Sequence, residues 1–313
     1  MVPFIRVTEI WIPSKDRTSL EFGGGSYGGL DDFESQSHQT VFAFGEGLPG
    51  RAWEARRPIV LKDLQTSYFK RGPAAAVAGL TCGLALPIFA GDVLLAVVTF
   101  FCGDDAETVG SIEVWVNDPA TSSTIVLEDG YYGNAEFFAR NARALDFGKG
   151  QGLPGEVWAS GLPVVRDEPY SAHRFLRKAE ALKLGRTTAF ALPCTGDRTH
   201  TRVMTFLSAL DTPIARRFEV WHLRPEEGRL AFGSGLCMQM GDLSGAYADL
   251  RLAREDGTLG RILTTNLPAI TEDLSREPSV IADSLRAAGM TTLVAIPIVS
   301  DAARLTAVAA WYF

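Results

Sequence analysis

The chain is poor in several residue types, and each scarcity excludes something. Its 313 residues include four cysteines, Cys82, Cys102, Cys194 and Cys237, far apart and without a CxxC spacing. A disulfide framework is not expected, and the pattern suits buried thiols in a reducing compartment. The four histidines, His38, His173, His200 and His222, stand isolated, so no metal site is legible. Positive charge is in deficit, with 30 Lys+Arg against 37 Asp+Glu and a net charge of −7. That balance argues against nucleic acid and against a polybasic membrane surface as partners. Arg6, Glu9, Lys15 and Asp16 leave no apolar signal segment at the start. The one stretch apolar enough to pass for a membrane helix is 80–103. Pro87 and the Gly91-Asp92 pair cut it into two β-rich runs, 85–89 and 93–101, which read as a buried hairpin. A soluble cytoplasmic protein is expected.

What the chain has in abundance is apolar residues, 46% of the total, and repetition. Length alone favours about two domains of ~150 residues. The repeats revise that count. Glu9-Ile10-Trp11 recurs as Glu113-Val114-Trp115 and as Glu219-Val220-Trp221. Gly47-Leu48-Pro49-Gly50 recurs as Gly152-Leu153-Pro154-Gly155 and, more weakly, as Gly257-Thr258-Leu259-Gly260. Pro58-Ile59-Val60 with Asp63 is matched by Pro163-Val164-Val165 with Asp167, and by Pro268-Ala269-Ile270 with Asp273. Gly79 with Pro87, Gly185 with Pro193, and Gly289 with Pro297 keep one spacing. Landmarks in one order three times indicate a unit of about 105 residues used three times.

Each unit opens with two strands, the second at 19–22, 123–127 and 229–232. A variable loop and a third strand follow, with 23–29 read as a flexible glycine loop. The Gly-Leu-Pro-Gly turn enters a short helix at 51–55, 156–160 and 261–265, its proline tolerated where no helical amide is needed. A second helix spans 69–78, 174–184 and 280–288 and stops at a glycine. Two apolar strands close the unit. This order predicts an α+β layer, an antiparallel sheet covered by short helices.

Gly-x-Gly-Leu-Pro-Gly-x-x-Trp (Gly45–Trp53), Pro-Ile-Val-x-x-Asp (Pro58–Asp63) and Gly-Leu-Thr-x-x-Leu-Ala-x-Pro-Ile (Gly79–Ile88), followed by an apolar strand, resemble the GAF domain family. The second unit matches closely. The third diverges most, with Leu259 at the turn proline and Leu263 at the Trp. The resemblance implies three GAF-like domains, 1–105, 106–210 and 211–313. GAF domains usually carry long flanking helices that signal to an output domain. Here short connectors join the units and no output segment is legible, so a separate protein partner is expected, with a homo-oligomer compatible. The resemblance implies a non-enzymatic sensory or regulatory protein that binds a small molecule, with no cofactor identified. Two alternatives stand beside it: a structural or adaptor array for protein docking, and a thiol-dependent reductase resembling free methionine sulfoxide reductase.

The individual motifs are weaker than their order. Gly45–Gly50 and Gly150–Gly155 fit GxGxxG, but the following helix is too short for a dinucleotide crossover, so a tight turn is the favoured reading. Gly24–Gly28 fits GxSxG without the strand and long helix of a nucleophile elbow. Trp11, Trp115 and Trp221 read as core residues rather than a ligand platform. Asp63, Asp167 and Asp273 either cap the following helix or border a pocket mouth. Thr81, Thr187 and Thr291 sit where the GAF pocket floor would lie. Cys82 reads as a small buried residue or, within the resemblance, as a thiol on the pocket strand. The NKxnFx3DE signature of cyclic-nucleotide GAF domains and a bilin-attaching Cys-His pair are missing. Arg71, Arg177 and Arg186 complete the candidate ligand set. Arg174, Arg177, Lys178, Lys183 and Arg186 make the second unit the favoured place for an anionic ligand or an acidic partner.

Overall fold

A computed structural model describes residues 3–103, 109–133, 136–167, 187–209 and 212–313. They build three antiparallel sheets. The first contains β1 (Ile5–Pro13), β2 (Ser19–Ser26), β3 (Phe42–Ala43), β4 (Ile59–Leu61), β5 (Cys82–Ala90) and β6 (Val93–Cys102). Its order is β3-β2-β1-β6-β5-β4. The second contains β7 (Val109–Asn117), β8 (Thr124–Gly133), β9 (Asp146–Gly148), β10 (Val164–Asp167), β11 (Thr187–Cys194) and β12 (Thr201–Ala209). The third contains β13 (Arg217–Arg224), β14 (Arg229–Cys237), β15 (Gly241–Asp242), β16 (Arg251–Leu252), β17 (Ala269–Thr271), β18 (Leu293–Val299) and β19 (Leu305–Tyr312). Read from its β9 edge, the second sheet runs β9-β8-β7-β12-β11-β10, and the third runs β15-β14-β13-β19-β18-β17, with β16 also paired to β14. In each, the first strand of the segment therefore lies in the middle, paired to the last.

One face of each sheet carries helices. Over the first lie α1 (Asp31–His38), α2 (Gly47–Ala55) and α3 (Gly72–Val77). The second has α4 (Glu136–Ala142) and α5 (Gly152–Ser160), and the third α6 (Ser244–Tyr247), α7 (Gly257–Thr265) and α8 (Ser279–Ala287). No helix among the described residues is long and apolar enough to cross a membrane. Where a helix was expected at 174–184, residues 168–186 lie outside the described ones.

Strand alternation sends the other face of all three sheets into one shared core. Leu84, Leu86 and Phe100 of the first sheet meet Phe190 and Phe206 of the second and Phe218, Ile296 and Trp311 of the third. Phe100, Phe206 and Trp311 touch one another pairwise, with ring centroids 5.9, 5.3 and 4.8 Å apart. The three sheets thus close on one another around an aromatic centre. Polar contacts seal the rim between the first and second sheets. Arg57 donates to Glu128 at 3.2 Å, Lys62 to Asp129 at 2.6 Å and Arg56 Nε to the Gly196 carbonyl at 2.9 Å.

Three local expectations change. Gly23–Ser26 is strand, not loop, because β2 pairs with β1 through Ser26. The segment before β3 holds a helix, α1, favoured by Asp31, Asp32 and Glu34 in its first turn and His38 in its last. The Gly-Leu-Pro-Gly helices start at the first glycine, so Pro49 and Pro154 sit inside the first turn. There a missing amide still costs nothing.

Candidate functional site

Beneath the helices of the first sheet lies a carboxylate with no contact to solvent. Glu9 and Trp11 are two residues apart on β1 and share the helix-covered face. Glu9 Oε1 accepts from Tyr27 Oη at 3.2 Å, Ser37 Oγ at 2.7 Å and Arg71 Nη1 at 2.6 Å. Oε2 accepts from Trp11 Nε1 at 3.0 Å, Arg71 Nη2 at 2.9 Å and Thr99 Oγ1 at 3.2 Å. The Arg71 fork is thus bidentate, the strongest form of such a pair. Burial pushes the Glu9 carboxyl up. The Arg71 guanidinium and the Arg71, Ser37 and Trp11 hydrogen bonds more than offset this, and it settles below its ordinary value. Burial, with Glu9 beside it, drives the Tyr27 phenol far above its ordinary value, so it stays a donor.

Arg71 is also caged by aromatic rings. Its guanidinium carbon lies 4.4 Å from the Phe33 ring centroid, 5.3 Å from Phe69, and 5.5 Å from Trp11 and Phe101. Such faces attract a desolvated cation. The Nε of this buried arginine has no hydrogen-bond partner among the described residues. A groove of ≈ 680 Å³ opens between α1 and α3, with Phe33 in its lining. Phe33 therefore belongs both to the groove and to the cage beneath it. Asp31 and Asp32 stand at the groove, and no basic residue lines it among the described residues.

The other two sheets repeat the carboxylate. Glu113 Oε2 accepts from Trp115 Nε1 and from Thr205 Oγ1, each at 3.1 Å. Thr205 faces Glu113 across the strands as Thr99 faces Glu9. Glu219 accepts from Arg217 Nε at 2.7 Å, Trp221 Nε1 at 2.8 Å and Tyr312 Oη at 3.0 Å. Arg217 also donates to Tyr247 Oη at 2.6 Å and Ser284 Oγ at 2.9 Å. A second buried carboxylate, Glu277, accepts from the Thr258 amide at the start of α7 at 2.8 Å. Its other oxygen has no partner among the described residues, and burial raises its pKa.

Of the ten residues singled out from sequence, Arg71 alone among the described ones enters this constellation. Asp63 is exposed and accepts from the Gln65 and Thr66 amides at 2.8 and 3.0 Å. It fixes a turn well before α3 rather than capping that helix. Asp273 is exposed and holds Ser275 Oγ and Arg276 Nε. Asp167 is exposed at the end of β10. Thr81 is half-buried, and its hydroxyl has no partner among the described residues. Thr291 is exposed beside the Phe313 carbonyl. Thr187 opens β11. Arg177 and Arg186, with the rest of the basic group of the second unit, lie outside the described residues.

Cys82 is a small buried residue, the first of its two expected readings. Cys82, Leu84, Leu86 and Ile88 alternate into the shared core, whereas Ala85 and Phe89 face the helices. The Cys82 thiol therefore lies on the opposite face of the sheet from Glu9, across the strands from Cys102. Burial drives the Cys194 thiol far above its ordinary pKa, away from the reactive thiolate. The GxGxxG glycines also receive an internal explanation. A Cβ at Gly50, Gly155 or Gly260 would overlap the carbonyl oxygen of Ala43, Gly148 or Ala253. The last glycine of the motif thus admits the chain's own backbone, not a phosphate.

The glutamates escaped sequence reading, though the signal was present. A Glu two residues before a core Trp on one strand must share its face.

Residues 8–114 match the model of the GAF domain family. Among solved structures, the chain is similar to the nlh2 GAF domain of A. aeolicus in an inactive state. The identity is 21%, over 32% of this chain and 58% of that one, with a TM-score of 0.26. It is similar to free methionine-R-sulfoxide reductase from Neisseria meningitidis, at 14% identity over 31% of this chain and 52% of that one, TM-score 0.25. The second GAF domain of DevS from Mycobacterium smegmatis gives 20% identity over 32% and 62%, TM-score 0.24. The chain thus spans between half and two thirds of each. No curated protein matches the chain.

Proposed function

We propose, from the match of residues 8–114 to the GAF domain family, that this is a non-enzymatic sensory or regulatory protein. GAF domains bind small molecules in such proteins. The ligand would enter the groove between α1 and α3 and be read by the Glu9 constellation. The protein would act on a separate protein partner, and 1–105, 106–210 and 211–313 would be three GAF-like domains. The observation that carries this reading is a ligand-sized groove whose lining residue Phe33 also walls a buried, convergent set of polar groups. A small-molecule site combines such a concave volume with a few convergent polar groups, and here the polar groups lie one residue layer beneath the groove, behind Phe33.

The experiment is native mass spectrometry of the purified full chain, with thermal shifts against a panel of cationic, neutral and anionic metabolites. The expected result is a stabilising ligand whose effect is lost in Glu9→Gln. No bound mass and no shift with any compound would overturn the reading. That outcome would favour the adaptor alternative, which draws support from the shared aromatic core that fixes the three sheets as one surface. The orientation of Cys82 gives the thiol-reductase alternative no comparable support.

A further inference from the structure

We infer that the ligand of the Glu9 site is a cation, a small molecule bearing a guanidinium or primary ammonium group, and that Arg71 is its built-in surrogate. The inference rests on the ligand-binding reading above and adds the chemical class.

The first support is an exchange between the first and third sheets. Glu9 and Glu219 stand 210 residues apart, as do Asp63 and Asp273, and Gly79 and Gly289. By that spacing Val7 matches Arg217, and Arg71 matches Ile281. Both apolar members are buried in the helix-covered cores, Val7 from the central strand and Ile281 from α8. The cation thus comes from the loop before α3 in one case and from the central strand in the other. What the two sites share is not an arginine at a fixed position. It is a buried carboxylate, backed by a Trp Nε1, that demands a positive charge from whatever direction one is available.

The second support is the fit of Arg71 itself. A carboxylate, four ring faces and a Ser–Tyr pair surround its head, which is how a protein recognises a cationic ligand. Its Nε has no partner among the described residues, so the arginine does not use the site fully. It is borne at the entry to α3, a helix of six residues, on a segment with no strand pairing between Leu61 and Cys82. Leu64, Phe69, Ala75 and Leu80 of the same segment are buried in the core, so what a ligand displaces is the Arg71 side chain and not the segment. The third support is electrostatic. Asp31 and Asp32 flank the groove with no lysine or arginine among the described residues of its lining, which favours entry of a cation over an anion.

The test uses the full chain. Arg71→Ala empties the cage, and methylguanidinium is offered at about tenfold over a millimolar-range dissociation constant. It should raise the melting temperature of Arg71→Ala by roughly 2–4 °C. Equal concentrations of sodium chloride or neutral methylurea should not. The Glu9→Gln, Arg71→Ala double variant should show no rescue. Equal rescue by methylurea or salt, or rescue of the double variant, would overturn the inference. Wild-type protein gives an independent arm should Arg71→Ala not fold. Agmatine and butylamine should stabilise it and bind by calorimetry, with loss of binding in Glu9→Gln. A neutral or anionic compound that binds wild type through Glu9 instead would sink the cation assignment and leave the ligand-binding reading standing. Binding by no compound of any charge would sink both.

Discussion

The shared core makes a strong claim about cohesion, and Trp311 is where it is most exposed to test. Its indole is fully buried and packs against Phe100, Phe190, Phe206 and Phe218, rings drawn from all three sheets. Truncating a core Trp to Ala costs about 3–5 kcal/mol. The ring contacts place Trp311 at the upper end, since an aromatic pair adds ~0.5–1.5 kcal/mol beyond area. One term works the other way. Trp311 Nε1 is buried with no hydrogen-bond partner among the described residues, and removing such an orphan recovers about 1–3 kcal/mol. The net expectation for Trp311→Ala is therefore a loss of about 2–4 kcal/mol. Trp311→Phe keeps a ring, drops the orphan amine and should lose less than about 1.5 kcal/mol. Urea unfolding followed by far-ultraviolet circular dichroism, with calorimetry alongside, measures both. If the sheets are one cooperative body, the wild-type transition is single and Trp311→Ala shifts all of it. A Trp311→Ala protein within about 0.5 kcal/mol of wild type, or a wild-type melt in separate steps of which only one moves, would refute the shared core.

Three further outcomes follow from the buried charges and the tight turns. Glu9→Gln strands Arg71 and should cost about 3–5 kcal/mol, whereas Glu9→Leu with Arg71→Met should cost clearly less, as measured by urea denaturation. The Glu9 carboxyl is depressed, so its contribution is full above the ordinary value of 4.5 and lost as pH falls through the lower folded value. Acid unfolding of wild type should therefore be steeper than that of the apolar double variant. Glu277 has the opposite sign: its raised pKa gives a contribution that is full below 4.5 and lost as pH rises through the folded value. Glu277→Gln keeps an acceptor for the Thr258 amide and should raise the melting temperature at pH 7, with the gain vanishing at acid pH. Gly155→Ala lies inside a helix, where alanine normally gains about 1 kcal/mol. Overlap with the Gly148 carbonyl should reverse that to a loss of about 2 kcal/mol or more, and a stabilised variant would contradict the close approach.

The regular parts of the fold were legible because their signals are local. The hairpin at 82–102 was written in two apolar runs broken by Gly91-Asp92, and the Gly-Leu-Pro-Gly helices in a proline placed where no amide is missed. Helix α1 was not, because only Phe33 and Ser37 of its eight residues are buried, and a polar helix has no apolar stripe to read. The site was half legible. Arg71 stands among the sequence candidates, but its partner Glu9 enters only as part of a strand landmark, because the pairing of two residues 62 apart is set by the fold and not by local pattern. Cys82 was legible as a small buried residue but not by face: position on a strand does not say which side, and here the thiol turns to the shared core.

Closure of the three sheets also fixes their number. In an open row of domains, copies can be gained or lost at an end, because each contacts only its neighbours. Here each sheet presents one wall to a common centre where Phe100, Phe206 and Trp311 meet. Deleting any one would bare two apolar walls, and a fourth would find no wall to meet. Such a fold can vary its outward helices and the contents of each helix-covered core almost independently, while the number of sheets around the centre stays locked by geometry.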